Sequence, residues 1–139
     1  QDEKLIVFAI PMNFMNDSGI AVSKLMRRYR LNEVKKLLIV HDELDLDVGV
    51  IRLKEGGGLA GHNGLRSVKQ HIKNQDFCRI RIGIGKPFPS QKGAKYVLSK
   101  PGKKESQELL LSVATAADSI ESVIETGFDN AMQIFNKKT

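Results

Sequence analysis

HDELDLDVGVIRLKEGGGLAGHNG, residues 41–64, decides how this chain is read. It follows the apolar run LLIV (37–40), whose unbroken hydrophobic character is that of a strand buried on both faces. An acidic corner closes that strand. Residues 50–54 (VIRLK) then alternate, placing Val50, Arg52 and Lys54 on one face of a further strand. The glycine-dense loop 56–61 leads into residues 63–73, which read as an amphipathic helix. There Leu65, Val68 and Ile72 face inward while Arg66, Lys69 and Lys73 line another face. Strand ends and helix starts are where α/β proteins hold their chemistry, and this stretch has both.

Outward from it, strand and helix signals continue to alternate. KLIVFAI (4–10) predicts a buried strand ended by Pro11. Asn16, Asp17 and Ser18 offer caps to a helix running through about residue 31, with Ile20, Leu25, Met26 and Tyr29 on its inner face. Residues 79–84 alternate strictly, Arg79 and Arg81 on one side and Ile80, Ile82 and Ile84 on the other. GKPFPSQKG (85–93) reads as a loop, YVLS (96–99) as a short segment ended by Pro101, residues 104–126 as a long helix stopped by Gly127, and residues 130–136 as a last short helix. No repeat and no linker interrupts the 139 residues, which fit one domain, 1–139, with a single core. The pattern predicts an α/β fold with helices on both faces of a sheet.

Composition excludes several classes. No apolar run approaches the roughly 18 residues needed to span a bilayer, and residues 4–10 are too short and too acidic in their approach to be a signal peptide. Cys78 is the one cysteine, so no internal disulfide forms, which suits a reducing, cytoplasmic setting. Its place at the head of an apolar strand predicts a buried, inert thiol. The chain opens with Gln1, which points to processing or truncation. The net charge of +6 is unevenly spread: residues 48–104 hold 13 basic side chains against Glu55 and Asp76, a local +11, and the rest of the chain carries −5. Such asymmetry fits one surface facing a polyanion; the bland alternative is a solvated basic face.

Three groupings carry candidate chemistry. His41, Asp42, Glu43 and Asp45 are potential metal ligands by type, but strand alternation separates His41 and Glu43 from Asp42, and no metal site is expected. Asp42, an acid at a strand end, is better placed to orient a base. Gly56 to Gly61 formally matches G-x-G-x-x-G, yet two strands precede the loop and no acid lies between Asp76 and Glu105. A dinucleotide cofactor is therefore set aside. A backbone bare of side chains, followed by helix-start amides, still suits a phosphate or a carbonyl. Asn16 and Asn63 each stand near a helix start, where an amide is often only a cap.

PMNFMNDSG (11–19), HDELDLDVG (41–49), GGGLAGHNGL (56–65) and RIRIGIGKP (79–87) resemble, in order and spacing, the bacterial-type peptidyl-tRNA hydrolases. The likeness extends through YVLSKP (96–101) and AMQIFN (131–136). It implies a mixed, mostly parallel sheet with helices on both faces, and hydrolysis of the ester joining a peptide to the tRNA 3′ end, with no cofactor. By the same resemblance, Asn16 and Asn63 would hold the peptide and position carbonyl and water. Phe14 and His62 would line that pocket, Asp42 would orient the catalytic histidine, and Lys54 and Arg81 would grip tRNA phosphate. The family's catalytic histidine lies in an early N-P-G…Y…T-R-H-N segment that these 139 residues do not contain. The resemblance thus implies a chain truncated at its N-terminus, inactive as it stands, whose complete form is a monomer. The alternatives are a non-catalytic RNA-binding relative and a structural role without RNA.

Overall fold

The computed structural model describes residues 5–9, 17–59, 62–85 and 103–136, with side chains in the last stretch from Ser106 onward. The chain divides into two compact units, Gln1–Val34 with Gly57–Gln75, and Lys35–Gly56 with Asp76–Thr139.

In the first unit α1 (Ser18–Arg28) packs on α2 (Asn63–Ile72). The sequence sets the second helix well. His62 caps it at the front, Lys73 ends it in the left-handed conformation, and Leu65 and Val68 are buried with Gly64 and Ser67. On α1, Ile20, Leu25 and Met26 are half-buried, but Tyr29 is exposed and follows the helix, with Arg28 lying over its ring at 5.7 Å. The two helices approach closely at Gly19, where a side-chain carbon would overlap the backbone carbonyl of Ser67. Only glycine fits there.

The expectation of a strand over residues 4–10 is corrected. Residues 5–9 carry no strand structure and are exposed, Leu5 by 79% and Phe8 by 71%. An apolar run becomes a strand only when a neighbouring ladder satisfies its backbone, and no ladder pairing involves these residues.

In the second unit β1 (Leu38–Glu43), β2 (Ile51–Glu55) and β3 (Cys78–Gly83) form a sheet ordered β1-β3-β2. β1 and β3 run parallel, with His41 opposite Arg81 and Asp42 opposite Ile82; β2 and β3 run antiparallel, with Arg52 opposite Arg81 and Lys54 opposite Arg79. The sheet is mixed, as expected, but among the described residues one parallel pair is matched by one antiparallel pair, so it is not mostly parallel. Residues 44–50, between β1 and β2, are too few for the crossover that a parallel return requires, so β2 comes back reversed.

One face of this sheet is apolar. Ile51, Leu53 and Ile80 are buried with Ala116 of α3 (Lys103–Thr126) and Ala131 of α4 (Phe128–Asn136), and Leu38, Ile82, Ile120, Val123, Phe128, Met132 and Phe135 pack around them. Gly127, at φ +93°, breaks the two helices apart where the sequence places the stop. The side chain of Asn136 closes the outer edge of β2, accepting from Leu53 N at 2.8 Å and donating to Leu53 O at 2.9 Å. An edge strand's free amide and carbonyl are thereby satisfied without another strand. Among the described residues no helix is long and apolar enough to cross a membrane.

Candidate functional site

The other face of the sheet is polar. Side chains opposite one another in a ladder share a face, so the register gathers His41 and Glu43 of β1, Arg79 and Arg81 of β3, and Arg52 and Lys54 of β2. The expected split between His41 with Glu43 and Asp42 follows. His41 and Glu43 are buried, whereas Asp42 is half-buried on the face shared with Ile82, one residue from the strand's end. Among the described residues no group of His, Cys, Asp and Glu converges as a metal would require.

Lys54 and Arg81, the two expected phosphate contacts, do come to one face, on adjacent strands and diagonal to each other. Their availability differs. Lys54 is exposed. Arg81 is half-buried, and its Nε donates to Glu43 Oε1 at 3.3 Å as an ion pair. Glu43 is further tied by accepting the Asp45 amide at 3.2 Å.

Arg79 shares its face with Arg81, as the alternation predicts, but is far more deeply buried. It is 2% exposed, and its Nη2 donates to the carbonyl of Gly56 at 2.8 Å. Burial, with the nearby charge of Arg81, holds its pKa below the usual arginine value, while Glu43 offsets part of that. Its work is internal. It holds the first residue of the glycine loop, whose left-handed φ of +68° and tight approach to the Asp76 side chain both suit glycine. Alternation alone marked Arg79 as one of two equivalent arginines; only the ladder's depth distinguishes them.

In the other unit, the start of α2 resolves an ambiguity. An asparagine there is commonly a cap, but the cap is His62: its Nδ1 accepts the amide of Leu65 at 3.2 Å, which places the ring proton on Nε2. Asn63 is the first helical residue and is exposed, so its side-chain amide is not consumed by capping. His62, expected to line a substrate pocket, has one ring nitrogen committed to structure. Along the same helix Arg66, Lys69, Gln70 and Lys73, with Gly58, Leu59 and Gln75, line an open groove of about 670 Å³. Three of its seven lining residues are cationic, which suits a polyanion better than an apolar ligand.

All three histidines are engaged. His41 Nδ1 bonds the carbonyl of Asp42 at 2.8 Å, His62 caps α2, and His71 Nδ1 donates to Ser67 O at 2.8 Å. Cys78 is buried as expected. Its thiol reaches the carbonyl of Lys35 at 3.4 Å, and burial pushes its pKa up to about 11, so it is protonated and inert near neutrality. Phe14 and Asn16, and the YVLS segment at 96–99, lie outside the described residues.

Comparison with known proteins agrees with the motifs. The family model described as peptidyl-tRNA hydrolase matches residues 1–139. A protein of Francisella tularensis subsp. novicida named peptidyl-tRNA hydrolase is 41% identical over 137 residues, covering 99% of this chain and 71% of its own length. A protein of the same name from Cutibacterium acnes is 42% identical over 135 residues, covering 97% of this chain and 67% of that relative. The crystal structure of peptidyl-tRNA hydrolase from Acinetobacter baumannii superposes with a TM-score of 0.82 at 38% identity, covering 91% of this chain. The matched region spans 63% of that solved chain, less than two thirds of its length.

Proposed function

This chain belongs to the peptidyl-tRNA hydrolase family, and from that premise we propose that it acts on the ester between a peptide and the 3′ end of a tRNA. The observation that carries the reading is the start of α2. With His62 capping the helix, Asn63 presents a free-standing amide beside a glycine loop and the positive end of a helix dipole. Ester hydrolysis passes through a tetrahedral oxyanion, and preorganised donors at such a place are what lower its energy. Asn63 donates there, joined by Asn16 and with Phe14 lining the peptide pocket, as the family resemblance assigns. Lys54 and Arg81 of the sheet meet tRNA phosphate, as the resemblance assigns, and in the other unit the groove along Arg66, Lys69 and Lys73 offers a basic surface of its own.

Water must also lose a proton. Asp42, near the end of β1, orients a histidine, as the family resemblance assigns. His41 and His62 fall within the HDELDLDVG and GGGLAGHNGL motifs, and the resemblance gives neither the part of the general base. The resemblance assigns the base to the histidine of the family's N-P-G…Y…T-R-H-N segment.

Assaying this chain beside a version that carries the segment tests the reading. The added histidine is expected to raise turnover by about 10²–10⁴-fold, the usual worth of a placed general base. Equal turnover would mean that the base lies among the residues already here. In the extended protein, Asp42→Asn should lower the rate and leave tRNA affinity in place. RNA binding without turnover in the extended protein would instead favour a non-catalytic relative.

A further inference from the structure

The end of α1 is built from cations and one aromatic ring. Tyr29 closes the helix and Arg30 follows in the left-handed conformation, at φ +53°. Leu31 N donates to Met26 O at 2.8 Å and Arg30 N to Arg27 O at 3.3 Å, a double closure in which glycine is the usual left-handed residue. An arginine there bears a steric cost that glycine does not. Around this turn Lys24, Arg27, Arg28 and Arg30 are all exposed, and the sequence holds no acidic residue between Asp17 and Glu33. The ring of Tyr29 is 42% exposed among them, with the Arg28 guanidinium over it at 5.7 Å.

Part of this has an ordinary explanation. Cations in a last turn complement the negative end of the helix dipole and need no ligand to do so. The dipole does not account for a large ring left in water beside them, nor for arginine where glycine is the unstrained choice. A flat ring flanked by guanidinium groups is an arrangement that holds an unpaired base by stacking while the cations meet neighbouring phosphates. A bilayer surface would call for apolar side chains turned outward as well, and the exposed residues of α1 are Lys24, Arg27 and Arg28, all cationic. We propose that the end of α1 is a contact site for single-stranded RNA, with a base stacked on Tyr29 and phosphates met by Arg27, Arg28 and Arg30. The strand is unpaired because bases inside a duplex are stacked on one another and do not offer a face. The proposal rests on the tRNA reading above for its class of ligand, and adds a surface that none of the motifs assigns.

The test uses the 139-residue chain carrying Tyr96→Phe, which leaves Tyr29 as its one tyrosine emitter, since the chain has two tyrosines and no tryptophan. The probes are octa-adenylate, an eight-base-pair RNA duplex and full-length tRNA. Anisotropy of labelled RNA reads affinity, and tyrosine emission with unlabelled RNA reads stacking. Emission should fall as octa-adenylate binds, saturating where anisotropy does. Tyr29→Ala should weaken octa-adenylate binding about tenfold, the usual worth of one stacked base, with duplex affinity and melting temperature unchanged. Tyr29→Phe, which keeps the ring, should preserve the affinity. Arg30→Gly should raise the melting temperature by relieving the backbone, yet weaken octa-adenylate binding and reduce its salt slope by about 0.7, one phosphate of a single strand. Undiminished emission, with Tyr29→Ala binding as its parent does, would overturn the proposal and return this turn to solvated cations. Emission that falls with phosphatidylserine vesicles and not with octa-adenylate would overturn it in favour of a membrane surface. If Lys54→Ala weakens tRNA binding and Tyr29→Ala weakens binding of neither single strand nor tRNA, the site on α1 is wrong and the tRNA reading stands. If Tyr29→Ala lowers tRNA affinity and Lys54→Ala does not, the phosphate contact on the sheet is misplaced and the site on α1 stands.

Discussion

The outer face of α2 and the polar face of β3 look alike as sequence and differ as structure. Each is a spaced set of basic residues, Arg66, Lys69 and Lys73 on the helix, and Arg79 and Arg81 on the strand. On α2 all three are exposed and line a groove. On β3, Arg79 is buried against a loop carbonyl and Arg81 is held by Glu43. A helix on the surface of its unit turns a whole stripe toward water, so its charges stay available. The central strand of a three-stranded sheet has neighbours on both sides, and a cation there must find partners or pay desolvation. Counting basic residues therefore overstates the binding surface wherever the count crosses a central strand.

The hardest test of that contrast is Arg79→Met. Removing the guanidinium strands the Gly56 carbonyl in the interior, and breaking a buried charged contact from one side typically costs about 3 kcal/mol. Urea unfolding should show a loss on that scale, with RNA affinity of the folded fraction unchanged. A variant as stable as the parent that bound RNA more weakly would make Arg79 a phosphate contact and erase the distinction.

On α2 the opposite pattern is expected. Arg66→Ala, Lys69→Ala and Lys73→Ala should each leave the urea midpoint near its original place. Each should reduce the slope of log affinity for tRNA against log salt by about 1, as one phosphate contact with its released counterion is lost. Anisotropy titrations at several salt concentrations give that slope directly. Three unchanged slopes would return this face to an ordinary solvated surface and leave RNA binding resting on Lys54 and Arg81.

Why one contrast was hidden and other features were not is a matter of range. The periodicity of residues 63–73 and the stop at Gly127 are local, and α2 and the end of α3 appear where the pattern puts them. β1, β2 and β3 were also legible within a residue or a few, because apolar runs bounded by turns have few other uses. The stretch at residues 5–9 carries the same local signal and makes no strand, since pairing depends on distant partners that composition does not show. Asn63 was singled out by type and place, but its freedom from capping depended on which neighbour took the cap, and a histidine is not the first choice for it. Ser67 gave no signal at all. Its hydroxyl is committed to an amide 48 positions earlier in the chain.

The smallest expected effect concerns Arg81 and sharpens the contrast from within the strand. Its partner Glu43 is nearly buried and Arg81 only partly so, with side chains 10% and 21% exposed. Glu43→Gln removes the opposing charge while keeping an acceptor for the Asp45 amide. If Arg81 meets phosphate, a carboxylate beside it repels the same ligand. At a separation of about 6 Å in a water-like medium that repulsion is about 0.7 kcal/mol, or roughly threefold in affinity. The variant should therefore bind tRNA about threefold more tightly at low salt, with the gain shrinking as salt screens the site. Some stability should be lost at the same time, because Arg81 then lacks its counter-charge. Two controls make the result decisive. In Arg81→Ala the gain from Glu43→Gln should persist only as far as bare charge repulsion reaches, and Lys54→Ala should lower affinity whether Glu43 is present or not. A Glu43→Gln protein that binds tRNA no better than the parent, at any salt, would mean that Arg81 is spent on the fold in the same sense as Arg79, and that β3 contributes no phosphate contact.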